Sequence, residues 1–133
     1  MSWPNVPVDG GQRDSHRKLA KAINHLLGDG APFVRQSNAL DLNLRTITAS
    51  AAAAADDYML LCDATSAAIT VTLPAAASNA GRVILVKKID VSANAVTIDG
   101  AGAETIDGAA TQSTTTQWTS FSVQCDGTGW FIV

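Results

Sequence analysis

Three carboxylates, Asp99, Glu104 and Asp107, fall within nine residues. Oxygen-rich loops of that kind can hold Ca²⁺, and a carboxylate pair can work as acid and base. Asp99-Gly100 and Asp107-Gly108 are turn pairs first, however, and the set lacks the ordered spacing of a calcium loop. Solvated turns are the expectation, with no metal site and no cofactor. Cys62 and Cys125 would need a nearby histidine to act as nucleophiles or zinc ligands. His16 and His25 both lie in the front segment. Each cysteine therefore reads as a small buried hydrophobe. Tyr58, Trp118, Phe121 and Trp130 suit either a sheet core or a sugar-stacking platform. Tyr58, Trp118 and Trp130 are the glycan-stacking candidates. No G-x-S-x-G elbow and no G-x-x-x-x-G-K-[ST] loop occurs. The expectation is a protein that is not an enzyme.

These residues need elements to hold them. Tyr58 to Cys62 is a short, nearly continuous apolar run, and Asp63 to Ala68 is small and polar. Ile69, Val71 and Leu73 then alternate with Thr70 and Thr72, the pattern of a half-buried strand, and Pro74 ends it. Together they predict a β-hairpin with one wet face. Arg82–Ile89 predicts a strand buried on both faces for part of its length. Ala95–Ile98, Glu104–Ile106, Trp118–Cys125 and Trp130–Val133 follow as strands, with Asp126-Gly127-Thr128-Gly129 as the clearest hairpin turn. Short strands between Gly-rich turns predict a mainly β fold with an antiparallel sandwich or barrel over 56–133.

The front differs in kind. Residues 1–14, with Pro4, Pro7 and Gly10-Gly11, predict an extended arm. Residues 15–27 predict one short helix, capped by Asp14 or Ser15 and stopped at Gly28. Leu19, Ala22, Ile23 and Leu26 form its apolar stripe. A helix this short is marginal alone and needs a partner. Trp3, Leu19, Ile23 and Leu26 are the candidate docking or oligomer contacts. Residues 1–30 thus read as an attachment segment and 31–55 as a connector. Within the connector Leu40, Leu42 and Leu44 alternate as a strand would, and Ala51–Ala55 reads as linker or edge.

Composition sets limits. The chain is 133 residues long, 47% hydrophobic but only 5% aromatic. Alanine buries little area, so the core is thin and oligomerisation is one remedy. Up to Arg45 there are six basic and four acidic residues; beyond it, three and eight. The acidic β region argues against a nucleic-acid backbone as partner. No apolar run is long enough to span a membrane, and no signal peptide is evident. Two cysteines make no disulfide framework, which fits assembly in a cytoplasm.

Several blocks, in order, resemble a β module of tailed-phage fibre and spike proteins. They are Asp63–Pro74, Gly81-Arg82-Val83, Val86-Lys87-Lys88-Ile89-Asp90, Ala93–Gly100, Glu104–Gly108 and Gln124–Trp130. The front, Asp14 to Gly28, looks like the helical head of small phage virion proteins. The resemblance implies a virion structural protein, usually homotrimeric, with an N-terminal attachment segment and an outward β domain. Its partners would be its own copies, other tail or capsid proteins and a host-surface glycan. The chain has no shaft and no large tip, which leaves room for a short tail fibre, a spike, or a head fibre decorating the capsid. No site residue carries over, because function in that family is delivered by surfaces.

Overall fold

A computed structural model describes residues 40–133, of which Leu42–Val133 form one compact unit. The expected arm and helix, and with them Trp3, Leu19, Ile23 and Leu26, lie outside the described residues. The described chain is almost wholly β. Its strands are β1 (Leu44–Ile47), β2 (Ala51–Ala52), β3 (Met59–Cys62), β4 (Ile69–Thr72), β5 (Val83–Lys88), β6 (Val96–Asp99), β7 (Thr111–Thr114), β8 (Ser120–Cys125) and β9 (Trp130–Ile132). A single 3-10 turn, Ala76–Ser78, interrupts them.

Two mixed sheets result, ordered β1-β3-β5-β8-β9 and β2-β4-β6-β7. The chain changes sheet after each of its first five strands. Each return lays a strand parallel to the last one in that sheet. Leu44 thus pairs with Met59 and Met59 with Leu85, while Ala51 pairs with Val71 and Val71 with Ile98. Three stacked passes follow, β1–β2, β3–β4 and β5–β6. Only the end is antiparallel, with β7 on β6, β8 on β5 and β9 on β8.

This corrects two expectations. The β domain is mixed, not antiparallel. Tyr58–Leu73 is not a hairpin either, because β3 and β4 belong to different sheets and Asp63–Ala68 crosses between them. Leu60 and Cys62 on β3 and Ile69 and Val71 on β4 are all buried in one cluster. Alternation shows which side of a strand meets the core; it does not show which sheet the strand joins. Residues expected in the connector supply the first strand of each sheet. Ala51–Ala52 is an edge strand, and β1 begins only at Leu44, leaving Leu40 and Leu42 exposed.

The core joins the inward residues of both sheets: Leu60, Ile84, Val86, Val123 and Trp130 from one, and Ile69, Val71, Val96 and Ile98 from the other. Trp130 is its largest fully buried side chain, and its indole N–H donates to the Pro74 carbonyl at 3.3 Å. A buried indole needs such an acceptor. The expected β8–β9 hairpin is present. Asp126 closes its turn by accepting from the Thr128 and Gly129 N–H groups at 2.7 and 2.9 Å, and Gly127 adopts φ +99°.

Candidate functional site

Trp118 is the most exposed large aromatic ring among the described residues, at 60%. It also has φ +67°, a left-handed backbone that a bulky residue rarely adopts. Its N–H donates to the Lys88 carbonyl at 2.8 Å, and the neighbouring Gln117 amide donates to Ile89 at 3.0 Å. The Lys87 ammonium sits 5.9 Å from the ring centroid. The loop before β8 therefore holds an open indole face in a costly conformation next to a cation. Backbone strain of this kind concentrates at contact and binding sites.

The three glycan-stacking candidates do not converge. Trp130 is 1% exposed and offers no face to a ligand. Tyr58 is half-buried just ahead of β3, and its carbonyl accepts from Leu85 N–H at the start of β5. Trp118 lies beyond the far end of β5, about 13 Å away by strand rise. The carboxylates are also apart in role. Both Glu104 oxygens accept from the Ala76 N–H at 2.9 and 3.0 Å, and Asp107 accepts from Ile132 N–H at 3.2 Å. Asp99 sits on β6 opposite Thr111. Among the described residues no three His, Cys, Asp or Glu side chains are grouped to hold a metal ion. Cys62 and Cys125 are both free and buried, as expected, and burial pushes the Cys62 thiol up to about 11.

Two ion pairs hold the crossovers, and the sequence reading assigned neither. Lys88 occupies an inward position on β5 and is fully buried; its ammonium lies 2.8 Å from Asp90. Asp90 also accepts from Ala64 N–H at 2.7 Å, from Ser92 N–H at 2.9 Å and from the Ser92 hydroxyl. Asn94 adds a 2.8 Å bond to the Ala64 carbonyl. The loop after β5 is thereby tied to the loop after β3. Burial pushes the Asp90 carboxyl up, but the Lys88, Ser92 and Ala64 hydrogen bonds outweigh it and hold the group well below the usual carboxylate range.

At the other end Asp57, 3% exposed, receives a two-pronged contact from Arg45 at 3.1 and 2.6 Å. It also accepts from Ala54 N–H at 2.7 Å, while Arg82 donates to the Ala54 and Asp57 carbonyls. Burial again pushes upward, and the Arg45 bonds with the Ala54 N–H hold the carboxyl below its ordinary value. The available signal was the Lys87-Lys88 pair. One of two adjacent residues on a half-buried strand must point inward, and an inward Lys needs a carboxylate.

The two outward sheet faces differ sharply in chemistry. On the four-stranded sheet the register lines up Thr70, Thr97 and Ser113, and beside them Ala52, Thr72, Asp99 and Thr111. On the five-stranded sheet it lines up Leu44, Met59, Leu85 and Ser122, flanked by Val83, Gln124 and Phe131 and by Thr46, Leu61, Lys87 and Ser120. One face is hydroxylic; the other mixes six apolar side chains, Leu44, Met59, Leu61, Val83, Leu85 and Phe131, with five polar ones. No described helix is long and apolar enough to cross a membrane. In comparisons with known proteins no family model matches the chain, and no curated protein matches it significantly.

Proposed function

We propose that this chain is a structural component of a tailed-phage virion, a short homotrimeric fibre or spike. Its N-terminal segment docks to the particle and its β domain projects outward from the virion. The observation that supports this is where the phage-like blocks fall. Lys88, Asp90, Ala64 and Asn94 form the buried crossover lock; Glu104 ties Ala76; Asp126 and Gly129 close the β8–β9 turn. The blocks therefore carry the architecture of a two-sheet, sandwich-like unit, and function is left to its surfaces. A non-enzymatic role follows from that division.

The test is proteomics and immunogold labelling of purified particles from an infected host. The chain should be present at fixed stoichiometry, and deleting residues 1–30 should abolish incorporation. Gold on the tail supports the fibre or spike; gold on the head moves the assignment to a capsid-decorating head fibre. Particles without the chain would sink the reading.

A second reading, a glycan-binding module for host-surface attachment, is favoured by Trp118 alone. Its open ring beside Lys87 suits stacking on a sugar that carries a negative group. An oligosaccharide array compared between wild type and Trp118→Ala decides it: hits lost in the variant support it, and no hits at all refute it.

A further inference from the structure

The pentapeptide Thr-Ile-Asp-Gly-Ala occurs twice, at 97–101 and at 105–109. An Asp-Gly pair can react with itself. Glycine has no Cβ, so its amide nitrogen is open to the carboxyl of the residue before it. The two copies have the same neighbours, so a difference in reactivity between them comes from the fold. Asp126-Gly127 is a third such pair, and Asp9-Gly10 and Asp29-Gly30 lie outside the described residues.

The fold holds the three described pairs differently. The Asp99-Gly100 peptide is pinned on both sides. Its carbonyl accepts from Leu73 N–H at 2.8 Å, and its N–H donates to the Ala110 carbonyl at 3.3 Å. Gly100 is buried as well. At Asp126 the carboxylate accepts from the Thr128 N–H, the Gly129 N–H and the Thr128 hydroxyl, which hold it below its ordinary value. An ionised carboxyl is a poor target for ring closure, because one oxygen must leave as water. The Gly127 N–H is also directed at the Cys125 sulfur, at 3.4 Å. Asp107-Gly108 has none of these restraints. It is the two-residue turn between Ile106 and Ala109, with φ +50° and +82°. Both residues are exposed, and among the described residues neither the Asp107 carbonyl nor the Gly108 N–H has a hydrogen-bond partner. Among those residues the Asp107 carboxyl accepts one bond, from Ile132 N–H at 3.2 Å.

The turn also guards a strand edge. Asp107 N–H donates to the Trp130 carbonyl and Trp130 N–H to the Thr105 carbonyl, each at 3.0 Å. Residues 105–107 thereby cover the edge of β9 that β8 leaves free, and an uncovered edge is open to other strands. We infer that Asp107-Gly108 is a site of spontaneous covalent modification that loosens the cover over β9. The Gly108 nitrogen gives up its proton and bonds to Asp107 Cγ. The Cγ–O bond to the side-chain hydroxyl breaks, the hydroxyl leaves as water, and a five-membered succinimide results. Water then opens the ring at the Asp107 main-chain carbonyl, and the chain continues through the side chain as isoaspartate. Water is the only co-reactant. The main chain gains one methylene, and the carboxyl that faced Ile132 becomes part of the backbone.

Prolonged incubation of the full chain near neutral pH tests it, folded in buffer and unfolded in guanidinium. Endoproteinase Asp-N cuts ahead of aspartate and not ahead of isoaspartate, so mass spectrometry of the digest reads each site separately. Conversion of Asp107 leaves the peptide 99–125 uncut, and the succinimide shows as the loss of one water. In the folded chain Asp107 should convert roughly tenfold or more faster than Asp99, because ring closure needs a free and oriented nucleophile. In guanidinium the two should convert equally. Gly108→Ala, whose Cβ meets nothing within 4 Å, should slow Asp107 severalfold and leave Asp99 unchanged. Hydrogen exchange at Ile132 N–H should be severalfold faster in the modified chain. Equal rates at Asp99 and Asp107 in the folded chain overturn the inference. So does a preference for Asp107 that persists in guanidinium, and so does an Asp107 that stays intact in the folded chain while the unfolded chain converts. Conversion that leaves Ile132 exchange unchanged overturns the link to β9.

Discussion

Lys88 Nζ lies 2.8 Å from Asp90 Oδ1, with the two side chains 0% and 5% exposed. They are two residues apart, so the pair spans the end of β5 and the turn after it. Asp90 also accepts from Ser92 within its own turn and from Ala64 N–H, 26 residues earlier. A buried pair is no guarantee of stability, because desolvating both charges offsets much of their attraction. Breaking it is a different matter, since one charge is then left buried alone.

Lys88→Met should therefore lower the melting temperature by roughly 10 °C or more. Lys88→Met with Asp90→Asn should recover part of that loss, because no unpaired charge remains. Thermal unfolding by circular dichroism reads both. Equal losses in the single and double variants would show that a stranded Asp90 charge is not what destabilises Lys88→Met.

Acid should destabilise the fold through Asp57 and Asp90. Both carboxyls are held below their ordinary value in the folded state. A depressed folded pKa contributes stability that is fully present above the unfolded value, about 3.9, and is lost as pH falls towards the folded one. Melting temperature set by these groups should be flat from pH 7 to about 5 and drop below about 4. Asp90→Asn should start lower and fall less steeply in acid.

Gly100 is buried, and a Cβ there would lie 2.8 Å from the Glu104 carbonyl carbon and closer still to its oxygen. Backbone cannot step aside as a flexible side chain does. Gly100→Ala should cost about 2 kcal/mol or more in urea unfolding. Gly81, at φ +83°, has nothing within 4 Å of its Cβ position. Gly81→Ala meets only the left-handed backbone penalty and should cost about 1 kcal/mol. Equal costs at the two sites would refute the steric account.

Trp118 gives the opposite sign. Glycine adopts its φ of +67° without strain. Trp118→Gly loses the Lys87 contact, worth about 0.5–1 kcal/mol at an exposed site. It gains relief of about 1–2 kcal/mol. Urea midpoints should be unchanged or higher in the variant. A clear loss of stability would make Trp118 a structural residue and remove the reason to treat its exposure as functional.

Both cysteines should be silent to a thiol reagent in the native state. Cys62 and Cys125 are 0% and 3% exposed, and the Cys62 thiol is pushed up to about 11. At pH 8 almost no thiolate forms at Cys62, and the reagent cannot reach either sulfur. Titration with Ellman's reagent should count no thiols in buffer and two in guanidinium. Fast native labelling would mean that the core opens readily.

Much of this was legible in the residues. Period-two alternation located β4, because a strand's side chains must alternate whatever lies beside it, and apolar runs between Gly-rich turns located β5, β6 and β8. Asp126-Gly127-Thr128-Gly129 announced its turn through local chemistry alone. Burial of both cysteines followed from their apolar neighbours. The apolar run Arg82–Ile89 signalled a strand buried on both faces for part of its length, whereas Tyr58–Cys62 was expected in a hairpin with one wet face. Strand partners were beyond reach, because the same alternation serves a hairpin and a crossover equally well. The tertiary structure sent β3 and β4 to different sheets and made their neighbours parallel. It also turned Lys88 inward onto Asp90, split the three carboxylates among separate tasks, and buried Trp130 while exposing Trp118. Each of those outcomes depends on contacts between residues distant in the chain, and local propensity carries no information about them.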